Sequence, residues 1–215
     1  MKSKILLAAL AALGLGAVAP VANAVTTLSL SDGTVTVLCA DGAACDANGT
    51  AGAVTFIGSV GVFNLNVTTG LSTPFYPDNH MDLNSVNATS ATGGTLTVML
   101  SQNGFSGAGT YVSAIGGTSG GAVAASAYAD ASNALFGTGT ALGATQNFGT
   151  GAFSGSWNGA YAGASPYSLT QIVSITHRGA ATTSFDYELK VPEPGTLALL
   201  GLGLIGIGAS RRRRI

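Results

Sequence analysis

Apolar and polar residues alternate one for one through several short stretches of this chain, and a period of two restricts such stretches to extended backbone with one buried face. Phe185, Tyr187 and Leu189 alternate with Asp186, Glu188 and Lys190; Phe63, Leu65 and Val67 alternate with Asn64, Asn66 and Thr68. Leu96, Val98 and Leu100 are interleaved with Thr95, Thr97, Met99 and Ser101 in the same way. Further strands are expected at 27–31, 34–39, 53–57, 82–89, 121–129, 142–148 and 169–177. Asp32-Gly33 parts two of them by two residues, as a type I′ hairpin requires, and Asn48-Gly49, Asn103-Gly104 and Asn158-Gly159 read as similar turns. The alanine-rich stretch 122–134 also suits a helix, and 137–166 reads as an edge region with long loops or as the least ordered part. The pattern predicts an all-β fold, an antiparallel β-sandwich of roughly ten strands, with jelly-roll and immunoglobulin-like orders equally compatible.

The two ends of the chain have a different character. Lys2 and Lys4 precede an uncharged apolar run over 5–18, followed by Pro20 and the small-residue sequence Ala22-Asn23-Ala24. These are the three regions of a secretory signal peptide, with cleavage by signal peptidase expected between Ala24 and Val25. The run is shorter than the roughly 20 residues that span a bilayer, which argues against a permanent anchor.

At the other end Val191-Pro192-Glu193-Pro194-Gly195 leads into an uncharged segment, 196–210, that stops at Arg211, Arg212, Arg213 and Arg214 before Ile215. The 20 residues from Val191 to Ser210 would cover roughly 30 Å as a helix, the thickness of a hydrocarbon core. Arginines directly behind an apolar segment stay on the cytoplasmic side, so the preceding domain is expected to face outward. Both ends thus give one topology, in which the first starts translocation and the second halts it. Three parts follow: 1–24 as signal peptide, 25–190 as exported domain, and 191–215 as a sorting tail with a C-terminal transmembrane helix.

With its proline motif, apolar segment and basic terminus in that order, the tail resembles the PEP-CTERM sorting signal. The resemblance implies recognition by a membrane-embedded exosortase and removal of the tail near Pro192, Glu193 and Pro194. It also implies only transient residence in the inner membrane, followed by a place in the cell envelope, at the cell surface or in the medium. Two prolines break any helix arriving from the domain and leave an extended joint, which suits cleavage there.

Between the ends lie 166 residues, a usual size for one domain. Their acids are Asp32, Asp41, Asp46, Asp78, Asp82, Asp130, Asp186 and Glu188, against Arg178 and Lys190, a formal charge of −6. An acidic domain with two basic residues has nothing to neutralise a phosphate backbone, so nucleic acid is excluded as a partner. Ten charged residues in 166 is far below the roughly 25% of a typical soluble domain. The surface must therefore consist of Ser, Thr, Asn, Gly and Ala, which suits a glycan-rich extracellular setting; the resemblance of the tail to a signal found on proteins of exopolysaccharide-producing, biofilm-forming Gram-negative bacteria implies exopolysaccharide as a partner.

No catalytic constellation emerges, and neither a metal nor another cofactor is expected. Cys39 and Cys45 are the two cysteines, and beyond the inner membrane they are expected to form a disulfide. Asp78, His80 and Asp82 sit two apart, so in a strand all three could face one way as metal ligands or belong to a solvated loop. Asp41, Asp46 and Asn48 contain calcium-ligand types without the EF-hand spacing. Gly117-Thr118-Ser119-Gly120-Gly121 matches a nucleophile elbow by letter but lacks the strand-to-helix context. Trp157, Tyr161 and Tyr167 either stack on sugar rings or fill the core. The functional expectation is a non-enzymatic structural or interaction protein of the cell surface or biofilm matrix, with a carbohydrate- or calcium-binding module as the alternative.

Overall fold

The computed structural model describes residues 24–76 and 78–191. The signal-peptide residues before Ala24 and the tail beyond Val191, including its expected transmembrane helix, lie outside the described residues. Among the described residues no helix is long and apolar enough to cross a membrane.

The strands are β1 (Thr27–Ser31), β2 (Thr36–Ala40), β3 (Ala53–Val60), β4 (Phe63–Leu71), β5 (His80–Ser90), β6 (Gly94–Phe105) and β7 (Gly109–Ser119). They continue as β8 (Ala122–Asp130), β9 (Thr140–Ala141), β10 (Gln146–Phe148), β11 (Gly151–Tyr161), β12 (Tyr167–His177) and β13 (Ala181–Lys190). One sheet runs β10-β8-β12-β6-β1-β2, with β9 also on β8, and the other runs β11-β7-β13-β5-β4-β3. All pairings are antiparallel. Each connection along β5, β6, β7 and β8 changes sheet, and β12 and β13 then enter between the strands already laid down.

Period-two alternation puts the apolar set of both sheets into one shared core. Leu96, Val98 and Leu100 of β6, Phe63 and Leu65 of β4, and Phe185, Tyr187 and Leu189 of β13 are all buried within it. The sheets interlock through size as well as polarity. A Cβ on Gly70 of β4 would lie 2.2 Å from Leu100 Cδ1 of the opposite sheet, so the glycine forms a hole that the leucine fills. Gln171 of β12 crosses the same interior, where its Nε2 donates to the Tyr187 carbonyl at 2.8 Å.

Among the described residues thirteen strands form, more than the alternation suggested. The stretch 122–134 is the strand β8 followed by a turn, with no helix, because Val123, Ala125, Ala127 and Ala129 alternate as its buried face. Asn158-Gly159 lies inside β11, since Gly159 admits the close approach of Leu142, whose carbonyl carbon would sit 2.3 Å from an added Cβ. The β1–β2 hairpin is wider than a two-residue turn, because Asp32 Oδ1 accepts from Thr34 N at 2.9 Å and Val35 N at 2.7 Å and closes the loop itself. Of the expected strand at 142–148 only Gln146–Phe148 pairs in the sheet, and Gly151–Tyr161 supplies an outer strand, so the region 137–166 is an edge with loops.

Candidate functional site

The two ends of the domain meet at one end of the sandwich. Ala24, next to the expected cleavage point, lines a cavity of about 200 Å³ with Thr73, Asp78, Asn79, Gln102 and Phe105. Thr26, two residues on, is fully buried, and its Oγ1 donates to Gln102 Oε1 at 2.7 Å. At the other terminus Val191 N–H donates to the Asn79 carbonyl at 3.2 Å, and the Val191 side chain packs on the core. Asn79 therefore holds the C-terminal end of the domain and lines the same cavity as Ala24. Its Nδ2 donates to the Ser106 carbonyl at 2.8 Å and to Tyr167 Oη at 3.1 Å, while Tyr167 Oη donates to the Gly107 carbonyl at 2.9 Å. Tyr111 and Tyr167 share a hydroxyl hydrogen bond beneath this junction, and burial pushes both phenols up from their ordinary pKa.

Cys39 and Cys45 form the expected disulfide. It closes a loop whose carboxylates are occupied by backbone donors. Asp46 Oδ1 accepts from Asn48 N and Thr55 N, both at 2.8 Å, and Asp41 Oδ2 accepts from Gly52 N at 2.6 Å. Asp41, Asp46 and Asn48 thus knit the loop to β3. Cross-linking so short a loop contributes about 2 kcal/mol in the chain-entropy model. A Cys39→Ser, Cys45→Ser double variant is expected to fold with a stability loss of that order in urea unfolding. Intact mass after alkylation without reductant should show no added label on the parent chain.

The three residues Asp78, His80 and Asp82 do not converge. Asp78 lies in the loop before β5, with its Oδ1 3.8 Å from His80 Nδ1. His80 stacks on Tyr76 at 3.8 Å between centroids, and its Nε2 lies 3.0 Å from Glu188 Oε1 without the alignment of a hydrogen bond. Glu188 also pairs with Lys190 at 2.9 Å. Burial pushes the Asp82 carboxyl above its usual range, and Tyr76, near Asp82, is pushed up to about 12 by burial and by that charge. Among the described residues no three His, Cys, Asp or Glu side chains are grouped to hold a metal ion.

The aromatic trio belongs to the interior. Trp157, Tyr161 and Tyr167 are at most 8% exposed, with Tyr161 on Tyr167 at 4.4 Å and Trp157 on Tyr187 at 5.5 Å between centroids. They leave no aromatic face for a sugar. Ser119 ends β7, and its Oγ is 2.7 Å from Thr183 Oγ1, a contact within one sheet and not the apex of an elbow.

At the opposite end sequence reasoning missed a polar chain. Ser90 Oγ lies 2.8 Å from His177 Nδ1, and His177 Nε2 lies 2.8 Å from Thr183 Oγ1, joining the two sheets. A Ser–His contact is the pairing used by hydroxyl nucleophiles, but here Ser90 is 1% and His177 2% exposed, and a hydroxyl stands where a triad has its carboxylate. The arrangement clasps the sheets together. The signal lay in residues about 90 positions apart, which no local pattern connects.

Burial pushes the His177 pKa down. The unfolded chain therefore takes up a proton near pH 6.5 that the folded chain refuses. The stabilising contribution is complete above that pH and is lost as pH falls through it towards the lower folded value. The thermal midpoint is expected to drop between pH 7.5 and 5.5, and to drop less in His177→Gln.

Residues 190–214 match the family model of the PEP-CTERM protein-sorting motif. No curated protein matches the chain. The matched stretch starts at Lys190, the last residue of β13, and so overlaps the anchored end of the domain. This chain carries a PEP-CTERM sorting signal, which implies export to the cell envelope with a transient membrane anchor and processing by an exosortase.

Proposed function

We propose that the β domain is a non-enzymatic structural or interaction component of the cell surface or extracellular matrix, working among exopolysaccharide after its membrane tail is removed. The observation that carries this reading is the direct succession of the final core strand by the sorting motif, which makes the folded domain itself the delivered cargo. A signal peptide cut between Ala24 and Val25 completes the route, and the burial of Thr26 supports a boundary there. The strand order, with β12 and β13 inserted into a winding that changes sheet at every step from β5 to β8, favours the jelly-roll form of sandwich. A surface with few charges and many hydroxyls suits contact with hydrated polysaccharide, where hydrogen bonding rather than ion pairing would set the affinity.

The test is enzymatic stripping. In an exopolysaccharide-producing host that carries the exosortase, digestion of the polysaccharide is expected to release the processed domain from washed cells. Release by buffer alone, with none added by digestion, would remove the matrix assignment.

A further inference from the structure

The sorting motif begins where the last strand ends, with no spacer between them. β13 is a central strand, paired up to Lys190 with His80 of β5 on one side and Val112 of β7 on the other. Leu189 is fully buried. Val191 extends the anchorage through its bond to the Asn79 carbonyl and its packing beside Gly109, where an added Cβ would come within 3.2 Å of it. Pro192 follows at once. An extended chain covers at most about 3.6 Å per residue, so the peptide from Pro192 to Pro194 reaches roughly 10 Å past its last anchored residue. A domain of this size has a radius of gyration of roughly 15 Å. A protease closing on that peptide has to meet the domain's end as well.

We propose that the end of the sandwich around Ser106, Gly107, Ala108 and Val191 is a docking surface for the membrane-embedded processing protease, which reads the folded domain together with the motif. The inference rests on the sorting role given above and on delivery of the folded domain as its cargo, and adds to them a surface of this particular domain. Ser106, Gly107 and Ala108 are exposed, small and uncharged, so they permit close approach. They are also held in place. Asn79 Nδ2 donates to the Ser106 carbonyl, Gly107 N donates to Ser165 Oγ at 3.0 Å, and Tyr167 Oη donates to the Gly107 carbonyl. The lipid surface is the rival occupant. It is disfavoured because Asp41, Asp46 and Asp78 lie in loops of this same end and Asp130 closes β8 there, where anionic headgroups would be repelled.

The experiment follows tail removal by pulse-chase of the full chain in a host carrying the protease. Ala108→Arg and Ala108→Glu are each expected to slow removal about fivefold. A flexible Gly/Ser spacer of about 12 residues between Val191 and Pro192 has a root-mean-square length of about 20 Å and uncouples the domain from the cut. With the spacer, both variants should be processed at the rate of the unsubstituted domain carrying the same spacer.

Unchanged rates in both variants at the native junction would overturn the proposal. So would a slowing that survives the spacer, which would trace to folding and show as a lowered thermal midpoint. Faster removal for arginine with slower removal for glutamate would assign the surface to anionic lipid instead. An unsubstituted chain that keeps its tail in this host would bring down the sorting role itself, an outcome distinct from the other three.

Discussion

Replacing Pro192, Glu193 and Pro194 together by alanine is expected to leave the chain full-length and membrane-associated in a host carrying the exosortase, with the processed form falling by at least about tenfold. The reason is conformational as much as chemical. Proline has no amide hydrogen to donate, and it disfavours helix in the residue before it, so the sequence of two prolines flanking a glutamate is expected to favour an extended joint ahead of the apolar segment. Alanines would remove both constraints and the one carboxylate in the matched tail. The domain should be unaffected, because its last anchored residue is Val191. Western analysis of membrane and medium fractions reads the outcome, with the thermal midpoint of the β domain as the control. Equal processing of the triple variant would take the motif out of the account.

A second large effect is expected in the core. Leu100 is fully buried in β6 and projects into the hole left by Gly70 of β4. Leu100→Ala should cost about 3 kcal/mol through lost apolar burial and the cavity left behind. Gly70→Ala should cost about 2 kcal/mol by overpacking, because its new methyl would occupy the space of Leu100 Cδ1. The double variant should lose less than the sum, since the added methyl then enters space the leucine has vacated. Trp157, the one tryptophan in the chain and a buried one, reports unfolding in urea by fluorescence. Strict additivity of the two changes would show that the sheets do not meet at this pair.

How far the fold can be read from the chain follows from what each residue responds to. The alternating faces of β4, β6 and β13 were legible because a half-buried strand imposes its period on its own sequence. β8 was ambiguous because alanine suits a helix intrinsically and a crowded sheet interior sterically, and only the packing decides between them. Asn158-Gly159 looked like a turn because the glycine's reason lies at Leu142, outside any local window. The disulfide and the sorting motif were legible as short linear patterns in a chain with two cysteines and a single Pro-Glu-Pro. The clasp of Ser90, His177 and Thr183 and the role of Asn79 were not legible, since each joins loops and strands that come together only when both sheets close.

The ends of the chain and its middle support one another in a physical sense. β1 starts at Thr27 and β13 stops at Lys190, so the folded body fills the interval between the expected signal-peptidase cut and the sorting motif. Ala24 and Val191, the first and last described residues, both lie at the Asn79 junction, at the same end of the sandwich. The opposite end carries the exposed Arg178 beside an open cavity of about 480 Å³ bordered by Gly120, Gly121, Thr150 and Thr176.

Intact-mass and terminal-peptide spectrometry of the protein recovered from envelope and medium of an exosortase-bearing host is the most direct check on delivery of this β domain by its tail. A mature species beginning at Val25, ending close to the Pro-Glu-Pro sequence and lacking all four terminal arginines is the predicted result. A cytosolic species still carrying those arginines would contradict it.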